Sequence, residues 1–152
     1  MERGPVLIMR RALLLMLLPL DAALAATTSQ SVVLVVSAAS PVVDLDSVSI
    51  RKLFLGVPVL INGRPLHPIR NRADARLDQI FLQEIAAMSQ SAYDRQILIG
   101  VNRQGWLPPV EVDSSASALE KLYEDSNAVT FVWQRDVAHN PRVRVIRVLW
   151  SE

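Results

Sequence analysis

Residues 66–88, LHPIRNRADARLDQIFLQEIAAM, decide the fold, because they predict a short strand, an arginine-rich turn and an amphipathic helix in succession. Apolar residues recur at helical spacing after the turn and form a single stripe, which predicts a helix that packs on a sheet. These residues are Leu77, Ile80, Phe81, Ile85 and Met88. Asp74 directly precedes the stripe, and a short carboxylate side chain at that place is typical of a helix N-cap.

Three arginines, Arg70, Arg72 and Arg76, surround this predicted helix start. A helix N-terminus carries unpaired N–H donors and the positive end of the macrodipole, so guanidinium groups beside it favour an anion. The turn therefore predicts a site for a small anion. The alternative interpretation is a solvated surface turn, because exposed charges usually contribute little to stability or binding.

The first 25 residues differ sharply in composition from the others. Arg10 and Arg11 precede a nine-residue apolar run at residues 12–20, and small residues follow as far as Ala25. This order is typical of a secretory signal peptide. The apolar run is much shorter than the roughly 20 residues that span a bilayer.

We therefore expect a signal peptide at residues 1–25 and a single domain at residues 26–152. Cleavage near Ala25 would leave a periplasmic protein with no direct membrane insertion, and an uncleaved anchor is the alternative. Translation could start at Met1 or at Met9, which lies directly before the arginine pair.

Composition excludes several functional classes. Without residues 1–25 the chain carries thirteen basic and thirteen acidic side chains, and this balance argues against nucleic acid or an anionic membrane as a partner. Cysteine is absent, which excludes disulfides, thiolate chemistry and lipid attachment through cysteine. With 51% apolar and 20% charged residues, the chain is expected to be globular.

The other patterns predict alternating strands and helices. The β-branched run at residues 31–37 indicates a strand buried on both faces, at the centre of a sheet. Residues 128–133 also favour a strand, and the alternating residues 143–150 favour an edge strand. The predicted helix caps are Asp46, Ser89 and either Asp113 or Ser114, and the last helix is expected to end with Asn127 in a left-handed conformation. The sequence thus predicts an α/β layered sandwich with a mainly parallel or mixed sheet and helices on both faces.

Residues that carry catalytic or metal chemistry are scarce. His67 and His139, the only histidines, have no partner at a metal-binding spacing. The chain contains no nucleophile elbow and no glycine-rich phosphate loop, and it has only five glycines. We therefore predict no enzymatic activity, no catalytic residue, no metal site and no cofactor.

The order of these features resembles the phosphate ABC transporter substrate-binding proteins, in a small single-lobe form of the type 2 periplasmic-binding fold. SPVVDLDSVSIRKLFLG at residues 40–56 is similar to the family's proline turn, capped helix and closing Phe-Leu-Gly. NGRPLHPI at residues 62–69 resembles the strand that enters the ligand loop, and residues 75–94 resemble the paired helices that follow. NAVTFV at residues 127–132 stands where the family has Gly-Ala-Ile-Gly-Tyr-Val.

The resemblance implies an extracytoplasmic protein that binds a phosphate-like oxyanion and serves ABC-type phosphate transport. Its ligand loop would be residues 71–76, with two arginines as charge partners. The implied ligand-binding residues are Asn71, Arg72, Asp74, Ala75, Arg76 and Thr130. Asp74 and Ala75 stand where the family has Gly and Ser, and Thr130 replaces a Gly. A carboxylate at the helix start repels an anion unless the ligand carries a proton for it to accept.

Chain length motivates a second hypothesis. A binding protein of this type closes two lobes around its solute, whereas the roughly 127 residues after the predicted cleavage make little more than one lobe. The alternative function is an interaction or sensor module of the same fold that no longer transports a ligand. Its partner would be a membrane transporter or sensor subunit.

Overall fold

The computed structural model describes residues 30–152, so the predicted signal peptide and its cleavage site lie outside the described residues. The strands are β1 Ser31–Ser37, β2 Leu60–Ile61, β3 Arg64–Pro65, β4 His67–Asn71, β5 Val110–Val112, β6 Ala128–Trp133 and β7 Val143–Ser151. The helices are α1 Ser47–Phe54, α2 Ala75–Ile80, α3 Gln90–Ile99, α4 Ser115–Glu124 and α5 Gln134–Val137. None of these helices has the length and apolar composition needed to cross a membrane.

Five strands form one mixed sheet in the order β5-β4-β6-β1-β7. Strand β4 runs parallel to β5 and β6, and β1 runs antiparallel to β6 and β7. The predicted α/β class and mixed sheet are confirmed. All seven residues of β1 are buried, as predicted, but β1 lies second from the edge and β6 is the central strand. Strand β7 is an edge strand, also as predicted.

Helices cover both faces of this sheet, as the sequence predicted. Val32 and Leu34 of β1 face one core, which includes the buried side chains of α1, α2 and α3. Val33 and Val35 face the second core, which includes those of α4 and α5. The alternation follows from the two-residue period of a strand, in which successive side chains point to opposite faces.

The predicted helix caps are confirmed. Asp46, Asp74, Ser89 and Ser114 each accept a hydrogen bond from the backbone N–H three residues further on. The prediction for Asn127 was wrong, since it is not among the described residues with positive φ. Helix α4 instead ends at Asp125 in an extended conformation, and the Asp125 carboxylate accepts from the Asn127 N–H at 2.8 Å.

The apolar stripe of the organising segment is buried, although the helix changes type within it. Segment Phe81–Ala86 continues α2 as a π-helix, and Ala87 then ends it in the left-handed conformation with φ 54°. Leu77 and Ile80 before the change, and Ile85 after it, are all at most 3% exposed. The wider turns therefore preserve the buried face that the spacing predicted.

Candidate functional site

The candidate site lies where the parallel strands β4, β5 and β6 end. The carboxyl edge of such strands is the usual place for a ligand in an α/β fold. Strand β4 ends at Asn71, which is fully buried. Its Oδ1 accepts from the N–H of Ala73 at 3.0 Å, and its Nδ2 donates to Ser115 Oγ and to the Phe131 carbonyl, both at 3.1 Å. The side-chain amide is thus bonded within the protein through both of its polar atoms.

Asp74 holds the start of α2 with both carboxylate oxygens. Its Oδ1 accepts from the N–H of Leu77 at 2.8 Å, and its Oδ2 accepts from the indole Nε1 of Trp133 at 2.7 Å. The side chain of Ala75, which follows, offers no donor. The positive end of the helix therefore already has a negative group in contact with it.

Arg70 is fully buried, although its charge would ordinarily keep it in water. Its guanidinium carbon lies 4.5 Å from the ring centre of Phe81 and 4.7 Å from that of Tyr93. A planar guanidinium stacks well on aromatic faces and is less strongly hydrated than an ammonium group, so arginine is the cation best suited to this place.

The polar contacts of Arg70 come from three different elements. Its Nη2 donates to Asp78 Oδ1 on α2 and to Gln90 Oε1 on α3, both at 2.7 Å. Its Nη1 donates to Glu111 Oε1 on β5 at 3.4 Å. The register of β4 with β5 pairs Arg70 with Glu111, so the sheet itself brings this carboxylate to the arginine. Pairing and hydrogen bonding make a buried charge tolerable.

Arg72 contacts the same two carboxylates from the solvent side. Its side chain is 43% exposed, its Nη1 lies 3.4 Å from Glu111 Oε2, and its Nη2 lies 3.5 Å from Asp78 Oδ2. Asp78 and Glu111 therefore each bridge Arg70 and Arg72. We call these four side chains the bridged arginine cluster.

Arg76 points to a different part of the surface. Its guanidinium lies 5.1 Å from the ring centre of Trp150, and its Nη1 donates to Gln79 Oε1 at 3.4 Å. The Trp150 ring in turn packs edge-on against Trp133, whose indole bonds to the helix cap Asp74. Arg76 is thus part of an aromatic cluster beside the helix start.

Thr130 lies inside the sheet. It is fully buried, and its Oγ1 donates to the carbonyl of Ile69 at 2.8 Å across the β4–β6 pair.

Five of the six residues predicted from the resemblance lie together around the start of α2. The sixth, Thr130, has its hydroxyl in a hydrogen bond between strands.

The sequence reasoning missed Asp78, Gln90 and Glu111. Asp78 stands four residues after Asp74, a spacing that places both on one side of a helix, so its proximity could have been inferred. Glu111 comes close only through the pairing of β4 with β5, which the sequence does not reveal.

Tyr93 completes the enclosure of Arg70. Its phenol Oη donates to the carbonyl of Phe54 at 2.7 Å. Burial raises the pKa of Tyr93 to about 12, although the nearby Arg70 charge acts in the opposite direction. The phenol is therefore neutral at physiological pH and serves as a hydrogen-bond donor.

The part of the chain that the structure describes has surface cavities of about 330 to 350 Å³. One adjoins the bridged arginine cluster and is lined in part by Tyr93, Pro109 and Glu111. Another is mostly apolar and lies between residues 56–58 and 105–108. Within residues 30–152, no group of three histidine or carboxylate side chains could hold a metal ion.

Comparison by sequence finds no matching family model and no matching curated protein. Solved structures do match. An ABC-type phosphate transport receptor from Vibrio cholerae aligns over 78% of this chain with a TM-score of 0.54 and 15% identity. A putative phosphate ABC transporter substrate-binding protein from Clostridium perfringens, solved with bound phosphate, aligns over 78% with a TM-score of 0.57 and 13% identity. PstS from Borrelia burgdorferi aligns over 78% with a TM-score of 0.54 and 8% identity.

At these identities the likeness shows the fold alone, which is the α/β fold of ABC transporter substrate-binding proteins. The match covers 46%, 45% and 47% of those three chains, so this chain spans a little under half of their length. The neighbours from Vibrio cholerae and Clostridium perfringens are described as ABC transport proteins.

Proposed function

We propose that this chain is an exported, non-enzymatic module of the substrate-binding fold that works by contact with another protein. In this proposal the wild-type arginine turn does not capture a free oxyanion. The partner would be a membrane transporter or sensor subunit, and residues 1–25 would direct the chain to the periplasm.

The observation that carries this proposal is the internal neutralisation of the turn. Three guanidinium groups and three carboxylates gather around the start of α2. They are Arg70, Arg72, Arg76, Asp74, Asp78 and Glu111. The excess positive field that would attract an anion is thereby cancelled, and the N–H of Leu77 is already bonded to Asp74.

Calorimetric titration of the wild-type protein with inorganic phosphate and with sulfate tests the oxyanion part of the proposal. We expect no saturable heat at millimolar anion. Saturable binding at micromolar phosphate would overturn the proposal.

Crosslinking in cells of the source organism tests the contact with a protein. A photo-reactive amino acid at Leu107, a residue that is 84% exposed, should give a discrete adduct with an envelope protein. The same probe at Gln83, an exposed polar position, is the matched control. The proposal predicts an adduct at Leu107 and none at Gln83, and it is wrong if Leu107 gives no adduct although the protein is exported.

The second candidate function is capture of a phosphate-like oxyanion by the loop of residues 71–76, with the Arg72 guanidinium as the group that contacts the ligand. Two observations favour it. Arg72 is 43% exposed and its ion pairs are long, so its guanidinium could turn to a ligand. The Clostridium perfringens neighbour was solved with bound phosphate. For this candidate, Arg72→Ala should abolish phosphate binding, whereas Arg103→Ala at a different exposed site should leave it unchanged.

A further inference from the structure

Glu111 is the more weakly bonded of the two carboxylates in the bridged arginine cluster. Its side chain is 49% exposed, whereas that of Asp78 is 20% exposed. Both of its contacts, with Nη1 of Arg70 and Nη1 of Arg72, measure 3.4 Å. Charge-assisted hydrogen bonds between guanidinium and carboxylate are typically about 2.7–2.9 Å long. The Glu111 carboxylate is therefore near both cations without a short bond to either.

Arg70 has unused capacity for an acceptor. A guanidinium has five N–H donors, and Arg70 makes three hydrogen bonds. Its Nε is the one fully buried side-chain nitrogen or oxygen within residues 30–152 that has no partner. Nη1 makes one hydrogen bond, to Glu111, so one of its two N–H groups has no acceptor either.

Asp78 and Gln90 hold Arg70 in place independently of Glu111. Both accept from Nη2 at 2.7 Å, and the guanidinium is stacked between two aromatic rings. Loss of the Glu111 contact would therefore leave Arg70 where it is. Its Nη1 would then lack its Glu111 contact. The cavity of about 350 Å³ that Glu111 itself lines has room for several water molecules.

We propose that Glu111 closes a latent oxyanion site. When its carboxylate is removed, Nη1 of Arg70 and Nη1 of Arg72 together bind a small oxyanion such as inorganic phosphate or sulfate. The inference rests on the proposed function, in which the wild-type turn is closed by its own carboxylates. Glu111 thus acts as an internal substitute for the anion, and it sets whether the turn is closed or receptive.

Calorimetric titration of Glu111→Gln with inorganic phosphate tests this inference. The substitution keeps the side-chain shape and removes one negative charge beside two cations, so we expect phosphate to bind at least about tenfold more tightly than to wild type. Glu111→Ala, which removes the competing side chain entirely, should show the same gain. Adding Arg72→Ala to Glu111→Gln should remove the gain.

Glu120→Gln is the matched control, because it removes the same charge at an exposed position on α4. A gain in the Glu111 variants alone supports the inference. Equal affinity in wild type and both Glu111 variants overturns it, and so does an equal gain in Glu120→Gln, which would reflect net charge only.

The wild-type titration separates this inference from the proposed function. Micromolar phosphate binding by wild type would overturn the proposed function, but a further gain in Glu111→Gln would still support Glu111 as the closing group. No binding by wild type and no gain in the variants would overturn the latent site alone.

Discussion

Two helices, α2 and α4, begin at the same edge of the sheet after neighbouring parallel strands, yet their first turns are built differently. Helix α2 is capped by the carboxylate of Asp74, and α4 by the hydroxyl of Ser114, which accepts from the Ser117 N–H at 3.1 Å. The amide of Asn71 links the two regions through its bond to Ser115 Oγ. The backbone geometry is similar in both, whereas the charge is not.

This difference shows that a helix N-terminus beside arginines does not by itself define an anion site. A hydroxyl cap satisfies a backbone donor without adding charge, and a carboxylate cap also neutralises the helix dipole. At α2, two further carboxylates, Asp78 and Glu111, pair with Arg70 and Arg72. The positive charges of the α2 region are therefore paired with carboxylates of the same region. The α4 region instead depends on a neutral cap and apolar packing.

Removal of the buried cation should have the largest effect. Arg70→Met keeps a long side chain between the aromatic rings but leaves Gln90 without its partner and Asp78 with only its 3.5 Å contact to Arg72. We expect the free energy of unfolding to fall by about 3–5 kcal/mol, the usual cost of breaking a buried ion pair. Chemical denaturation measures this change.

Arg72→Met is the control for that experiment, because it removes a 43% exposed cation from the same cluster. It should cost less than about 1 kcal/mol, since exposed ion pairs contribute little. Equal losses in the two variants would contradict the central role given to the buried arginine.

Removal of the two caps compares the helix starts directly. Asp74→Ala loses the N-cap bond, the favourable contact with the helix dipole and the bond to Trp133, so we expect a loss of about 2 kcal/mol. Ser114→Ala loses one neutral cap and should cost about 1 kcal/mol. Thermal unfolding of both variants at two salt concentrations provides the measurement, and only the Asp74 effect should shrink with salt. A larger loss in Ser114→Ala would contradict the comparison.

The smallest expected change in stability is that of Tyr93→Phe, at the tyrosine that packs against Arg70. Because burial raises its folded pKa to about 12 from an ordinary value of 10.0, the unfolded chain loses this proton first as pH rises. The associated stability is present below pH 10 and is lost between pH 10 and 12. Tyr93→Phe should lose about 1 kcal/mol at neutral pH through the missing bond to Phe54.

Tyr93→Phe should also lose less stability than wild type as the pH rises from 10 to 12, because phenylalanine has no proton to lose. Denaturation curves from pH 7 to about 12 test this expectation. Tyr123→Phe, at a half-buried tyrosine on α4, is the control. An unchanged alkaline slope in Tyr93→Phe would show that Tyr93 does not cause it.

The helices and strands could be predicted from the sequence wherever the signal was local. The stripe from Leu77 to Ile85 and the helix caps each depend on neighbouring residues, and each was confirmed. Ala87 could not be predicted in a left-handed conformation, because glycine or asparagine is the usual choice there. The order of the strands depends on pairings between distant residues, so β1 was placed at the centre instead of β6.

The candidate site was harder to predict for the same reason. The sequence identified the arginines and the cap at Asp74, which lie within seven positions of one another. It did not show that Arg70 would be buried or that Glu111 would pair with it from 41 positions away. The sign of the local field depends on those distant partners, so the sequence alone predicted an excess of positive charge that the structure balances.

The most direct test of this account follows the arginine Nε–H signals of the wild-type protein by nuclear magnetic resonance during titration with inorganic phosphate. Sodium chloride at matched ionic strength is the reference. If the cluster is closed by its own carboxylates, the Arg70 and Arg72 signals and the backbone amides of residues 73–77 should stay unchanged up to millimolar phosphate. A saturable shift of the Arg72 signal and of those amides at micromolar phosphate would contradict the account.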